Sequence, residues 1–416
     1  MPRVTFPIHH TFGPLVTREQ FWLAFWLQFK PQKWVRGKEI EELRSKLSHH
    51  FGMSASLFAS GREALLAALQ SIAIKPGDEI IIQAFTCMVV PNAVHASGAT
   101  AVYVDIDPGS LNIDLQKIQA KITPRTRAII CQHTFGIPAD TERLRSICDK
   151  RNILLIEDLA HVIPDTPDAI GTRGDLLILS FGRDKAISGV MGGAVLTRHG
   201  MLGKKLAELE EHALKMPLRF IAHLIGYPLR YRAAKILWSL PFGANLAKAY
   251  LRFSRALHLL PQVYQPGEAD GKMSVGLRAI PNACVVLILQ QFQDLPRLNR
   301  HRNTLTQIYS QAAKAKDWNL PQAALTAPSL QKFPVFARNT RKLRAALKRE
   351  QIYLDDGWCH GAINPASSNQ EAAGYAQGSC PVAEEVAAHI VTLPTHPTMA
   401  VAQAEYLLHA LQSFLA

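Results

Sequence analysis

The chain has 416 residues, a formal net charge of +13 and 48% hydrophobic residues. A length of this order buries a large core and suggests two or three domains. No uncharged apolar run reaches about 18 residues, and the opening MPRVTFPIHH lacks the unbroken apolar core of a signal peptide, which argues against spanning and export. Six scattered cysteines without paired spacing read as reduced thiols of a cytoplasmic protein and offer no metal site. The basic excess asks for an anionic partner: nucleic acid, anionic lipid or a phosphorylated substrate.

In chain order, EQFWLAFWLQF (Glu19 to Phe29) sets Phe21, Trp22, Phe25, Trp26 and Phe29 at helical spacing. Such a stripe is more often core or dimer contact than membrane anchor. KEIEELRSKLSHHFGM follows as an amphipathic helix. Ser60, Gly61 and Arg62 come after the apolar SLFA and open the ALLAAL helix, so their amides offer a phosphate site at a helix N-terminus. The plain alternative is an N-cap serine. EIIIQAFT, a crossover helix around Val89 to Ala96, TAVYVDID, LQKIQAKI, RAIICQHTFG and ADTERLRSICDK then alternate strand and helix. That alternation implies an α/β fold, its mostly parallel sheet covered on both faces.

ILLIED and DLLILSF read as buried strands that deliver Asp158, Ser180 and, shortly after, Lys185 to one edge of the sheet. Open α/β sheets bind ligands at that edge. An amine, a buried carboxylate and a hydroxyl together suit pyridoxal 5'-phosphate. Lys185 would bond to the cofactor aldehyde, Asp158 would pair with the pyridinium nitrogen, and Ser180 would hydrogen-bond the phosphate. Taken singly, Asp158 reads as a helix cap and Lys185 as a solvated loop lysine.

The ordered set of motifs resembles the DegT/DnrJ/EryC1/StrS family of pyridoxal-phosphate enzymes. It comprises SGREALLAAL, PGDEIIIQAFT, VDIDP, ITPRTRAII, HTFGIPAD, ED-x-AH, S-x-x-x-x-K, GG-A-V-L-T and LPTHP. The resemblance implies fold type I, aminotransferase activity on a keto sugar, and a homodimer with active sites at the subunit interface. It places Ser60, Gly61, Arg62 and Ser180 at the phosphate, and His161 beside the cofactor's phenolic oxygen where many members carry glutamine. It puts the W-V-R-G turn at the active-site entrance. Three positions depart from the pattern: Cys87 replaces an aromatic residue stacked on the ring, Gly276 an asparagine reaching the partner subunit's cofactor phosphate, and Arg183 an uncharged residue. Arg183 is therefore expected to hold the phosphate in place of that asparagine.

Residues 212–267 carry Lys215, Arg219, Arg230, Arg232, Lys235, Lys248, Arg252 and Arg255 among many aromatics, with no Asp or Glu. Pro217, Pro228, Pro241 and Pro261 divide this stretch into short helices. A basic amphipathic segment of this kind suits the surface of an anionic membrane, with a dimer arm or an active-site lid as alternatives. No nucleic-acid motif accompanies the charge, so no nucleic-acid partner is expected. The boundaries are an N-terminal segment to residue 50, a cofactor domain at 51–205, a helical insertion at 206–267, return helices at 268–319 and a small α+β domain at 320–416. Trp358, Cys359 and His360 fall near the substrate by resemblance, although His360 and His396 read more simply as packed loop histidines. Pro365 to Ser379 is the clearest flexible segment.

The expectation is thus a cytoplasmic, homodimeric aminotransferase in polysaccharide biosynthesis, with a small amino donor and a keto acceptor. A peripheral membrane enzyme acting on an amphiphilic acceptor and a non-catalytic cofactor-binding scaffold are the alternatives. Related dehydratases carry histidine at the lysine, and Lys185 argues against that activity.

Overall fold

The computed structural model describes residues 7–168, 170–262, 265–412 and 414–415. Met1 to Phe6, part of the opening read for a signal peptide, lie outside the described residues. Seven strands form the central sheet: β1 (Ser54–Phe58), β2 (Glu79–Gln83), β3 (Thr100–Val104), β4 (Thr126–Gln132), β5 (Leu154–Asp158), β6 (Leu176–Ser180) and β7 (Gly193–Thr197). Their spatial order is β1-β7-β6-β5-β4-β2-β3, with β7 antiparallel to both neighbours and the other pairs parallel.

Successive side chains leave opposite faces of a strand, so an unbroken apolar run requires cover on both sides. Ile80, Ile82, Ile156 and Ile178 enter one apolar layer. Leu57, Leu177, Leu179 and Leu196 enter a second, and Ile81, Ile129 and Leu155 a third. Helices α1 (Arg18–Gln28), α2 (Glu39–Phe51), α3 (Gly61–Ser71), α4 (Val89–Ala96) and α5 (Thr141–Arg151) precede or link the strands, and α6 (Gly200–Glu211) follows the last of them.

Two helices, α7 (Leu218–Trp238) and α8 (Gly243–Ala256), then form a hairpin, and α9 (Asn282–Gln293) and α10 (Leu295–Ala315) bring the chain back. The excursion leaves and returns at one place, because Leu214 N donates to Leu277 O at 2.9 Å and Ala279 N to Leu214 O at 2.9 Å. Contrary to the expectation from sequence, Pro228 does not divide this stretch. It lies buried inside α7. Losing one helical N–H and straining the preceding turn costs about 3 kcal/mol, and burial of Ile221, Leu224, Ile225 and Tyr227 against the second apolar layer outweighs it.

The C-terminal part pairs β8 (Lys332–Phe336) with β9 (Ile390–Pro394) and adds α11 (Thr340–Arg349), α12 (Pro381–His389) and α13 (Val401–Leu411). It has its own core around Tyr309, Phe333, Leu343, Val391 and Leu407, and Ile8 from the N-terminal segment packs into it. Ile8 and His9 also pair with Ile352 and Tyr353. The segment expected to be flexible is pinned instead, since Tyr375 is buried and bonds Glu384 at 2.6 Å while Tyr103 Oη donates to Ala373 O at 2.6 Å.

A second correction concerns α1. The aromatic stripe does not form core: the helix buries Gln20, Ala24 and Leu27 and turns Trp22, Trp26 and Phe29 outward, 47%, 58% and 65% exposed. Gln20 decides the orientation by donating to Leu287 O at 2.7 Å and to Gln290 at 3.0 Å on α9. Outside, the rings from Phe21 to Phe29 pack edge to face along the helix.

Candidate active site

Parallel register gathers polar side chains at the C-terminal ends of the strands. Gln132 on β4 stands opposite Asp158 on β5, and Asp158 opposite Ile178 on β6, two residues before Ser180. The loop after β6 then carries Arg183, Asp184 and Lys185 over the same edge. A cavity of about 190 Å³ opens there, lined by Ser60, Gly61, Arg62, Asp158, His161, Ser180, Arg183 and Lys185 together.

Ser60 caps α3, its hydroxyl accepting from Glu63 N at 3.3 Å. The ordinary capping role and an anion-facing helix start coexist here. Gly61 has no room for a side chain: a Cβ would stand 2.6 Å from the Ser180 Cβ and 2.8 Å from its Oγ. A Cβ on Gly193 would overlap the Ser60 backbone. Backbone amides and the Ser180 hydroxyl thus form a cradle that fits a phosphate. The Arg62 side chain forms an ion pair with the buried Glu268, just beyond the helical hairpin.

Asp158 is buried, and one oxygen accepts from Ala160 N at 2.9 Å. Burial pushes its carboxyl up, against the Ala160 amide and the Lys185 charge. A cationic ring nitrogen would reverse that shift. His161 accepts from Phe135 N through Nδ1 at 3.1 Å, which leaves Nε2 as its N–H donor. Burial first, then the charges of Lys185 and Lys332, hold the imidazole far below its usual pKa, so it is neutral.

Arg183 buries its Nη2 without a hydrogen-bond partner among the described residues and lies over the Tyr227 ring of α7 at 5.3 Å. The hairpin therefore supplies both the platform for Arg183 and, through Phe220 and Leu224, an apolar wall of the cavity. Cys87 lines the cavity beside Val89 and Val90, so aliphatic groups and a thiol occupy the place expected of an aromatic ring. Gly276 is exposed, and Asn282 is committed elsewhere, donating to Lys33 O at 2.9 Å and Glu39 at 3.1 Å. That bond, with the Ala283 N donation to Trp34 O at 3.1 Å, seats the W-V-R-G turn on α9, and none of Trp34 to Gly37 lines this cavity.

Sequence reasoning missed the groups closing the cavity from the small domain. Asp356 lines it, paired with Lys332 at 3.0 Å, both side chains buried. Burial would raise Asp356, but Lys332 and His10 outweigh it and hold the carboxyl well below its usual range. Asp184 is likewise held low by Lys185, Lys332 and Arg183 against the effect of burial. A lysine opening the otherwise apolar KFPVF strand was the available signal. Trp358, placed near the substrate by resemblance, lines the cavity and meets His161 edge to face at 4.9 Å. His360 does not line it.

The sequence matches the DegT/DnrJ/EryC1/StrS aminotransferase family over residues 24–235 and 274–412. The chain belongs to this family. DegT/DnrJ/EryC1/StrS relatives include the UDP-N-acetyl-3-dehydro-alpha-D-glucosamine 3-aminotransferase of Acidithiobacillus ferrooxidans, 28% identical over 82% of this chain and 79% of that protein. The GDP-perosamine synthase of Vibrio cholerae is 29% identical over 47% of this chain, an alignment spanning about half (55%) of that protein. Among solved structures, NtdA from Bacillus subtilis with bound cofactor PMP superposes with a TM-score of 0.73 at 19% identity, covering 98% of this chain and 85% of that one. A family aminotransferase from Brucella abortus gives 0.70 at 19% identity, covering 95% of each chain. The fold is that of the fold type I transferases, and the protein is a pyridoxal-phosphate-dependent aminotransferase.

Proposed function

We propose that this enzyme moves an amino group from a small donor such as glutamate to the keto carbon of a nucleotide-linked sugar. The observation that carries the reading is the convergence of Lys185, Asp158, His161 and the Ser60–Gly61–Ser180 cradle in one cavity at the strand ends. The bound cofactor supplies an electron sink that stabilises charge on the substrate carbon when its proton leaves. Lys185 would supply the amine that anchors the cofactor and would carry the proton to and from that carbon. Asp158 would pair with the ring nitrogen and keep it protonated, and His161 would offer its Nε2–H to the phenolic oxygen. Support for the sugar comes from relatives that act on nucleotide sugars by name. The test supplies glutamate and a panel of nucleotide keto sugars to the holoenzyme and follows absorbance as the two cofactor forms interconvert. A panel that leaves the spectrum unchanged while glutamate alone shifts it would move the acceptor to another class.

The working unit in this reading is a homodimer, as the resemblance implies. A second reading places that dimer on an anionic membrane surface, favoured by one observation: α8 exposes Phe242, Leu246 and Phe253 beside Lys248, Arg252 and Arg255, while α1 exposes two tryptophans. Among the described residues no helix is long and apolar enough to cross a membrane, so such contact would be interfacial.

A further inference from the structure

Away from the cofactor cavity, a second open cavity of about 300 Å³ lies where the N-terminal segment, α7, α10 and the chain before α13 meet. Four bases line it, Arg18, Arg232, Lys235 and Arg297, and no Asp or Glu does. Arg297 has a counter-charge, Asp294 at 2.8 Å on its own helix. Among the described residues no carboxylate comes within 4 Å of Arg18, Arg232 or Lys235.

Lys235 is the telling member. It spends its donors on neutral oxygens, Gly13 O at 3.3 Å and Thr398 Oγ1 at 3.5 Å, both long for an ammonium. Burial, with Arg232 adding repulsion, lowers its pKa to about 8. A half-buried ammonium with no carboxylate beside it among the described residues is costly, and a bound anion would relieve that cost. The first turn of α1, which contributes Thr17 and Arg18 to the wall, turns the positive end of its dipole to the same space.

We propose that this cavity is a second anion site, built for a phosphoryl group and separate from the cofactor's phosphate cradle. Several bases approaching from separate elements suit a phosphate, whose oxygens accept from several directions, better than a single carboxylate. The phosphoryl group comes either from a lipid headgroup or from a free phosphorylated metabolite.

Inorganic pyrophosphate titrated calorimetrically into phosphate-free holoenzyme, with the cofactor cradle filled, is expected to bind once per chain. Lys235→Met and Arg232→Ala should each weaken binding about ten-fold or more, as loss of a charged hydrogen bond implies. Lys150→Ala, an equal charge change on the exposed face of α5, should leave binding unaltered. Arg232 is exposed, so its variant tests the site even where Lys235→Met fails to fold. Absence of binding, unchanged binding in both cavity variants, or equal weakening by Lys150→Ala overturns the proposal. Phosphatidylcholine vesicles doped with phosphatidate separate the sources. Retention competed by pyrophosphate and lost in Lys235→Met identifies a headgroup, whereas pyrophosphate binding with retention indifferent to Lys235 identifies a free metabolite.

Discussion

The strand edge and the α7–α8 hairpin invert the usual rule of burial in opposite directions. At the strand edge charge is inside: Asp158, Lys332 and the side chain of Asp356 are buried, and each is tolerable only because a partner or a ligand answers it. On the hairpin apolar surface is outside: Phe242 is 89% exposed and Phe253 63%, among bases with no acid nearby in sequence. Both inversions cost stability, and both mark contact with something that is not water. The edge is built around a small charged molecule, and the hairpin's exposed face is the one the proposed interfacial contact would use.

The largest expected effect tests the edge. Lys185→Ala should lower turnover by roughly 10²–10⁴-fold, the range for a positioned acid–base group, and abolish the borohydride-reducible link to cofactor. A link that survives in that variant assigns the anchor to another amine. Asp158→Ala comes next, with most turnover lost and the cofactor dissociation constant raised about ten-fold or more; near-normal activity would show the wrong carboxylate has been chosen.

The hairpin side is sharpened by sedimentation with vesicles. Anionic vesicles at low salt should retain the protein, since each base near such a surface contributes about 1 kcal/mol, and high salt should release it. Trp22→Ala with Trp26→Ala should weaken retention with the charge unchanged. Equal partition to neutral and anionic vesicles, or to neither, points instead to a dimer arm.

Smaller effects fall where the two regions touch. Arg183→Ala should weaken cofactor binding about ten-fold if the guanidinium holds the phosphate, whereas Tyr227→Leu removes only the ring beneath it, a loss of about 0.5–1 kcal/mol. An unchanged constant in the Arg183 variant leaves the phosphate to Ser180 and the α3 amides. Gly61→Ala should cost about 1–3 kcal/mol through overpacking against Ser180, read as a lower melting temperature of the apoprotein together with weaker cofactor binding.

The edge was legible because unbroken apolar runs and strand-end polarity are local properties: ILLIED and DLLILSF each announce a buried strand and the residue that ends it. Trp358 needed the family resemblance, and Asp356 and Lys332 were missed, because they come from the C-terminal part and approach His161 only through tertiary packing. The inward face of α1 was left open between core and dimer contact for a related reason. Periodicity finds a stripe, but which stripe faces inward depended on Gln20 finding two acceptors on α9. Pro228 shows the same lesson, since packing of α7 overrode a residue that locally reads as a break.

The paired backbone bonds joining Leu214 to Leu277 and Ala279 make the excursion between them nearly a closed ring hung from the body. The entropy of closing a loop grows only slowly with its length, so the body is almost indifferent to how much chain hangs there. A lineage can lengthen or shorten the outer part of that excursion, α8, more freely than α7, whose Ile221, Leu224 and Ile225 pack into the second apolar layer. The points where it leans back, Phe220 and Leu224 at the cavity, Tyr227 under Arg183 and Glu268 against Arg62, tie the history of the excursion to that of the chemistry.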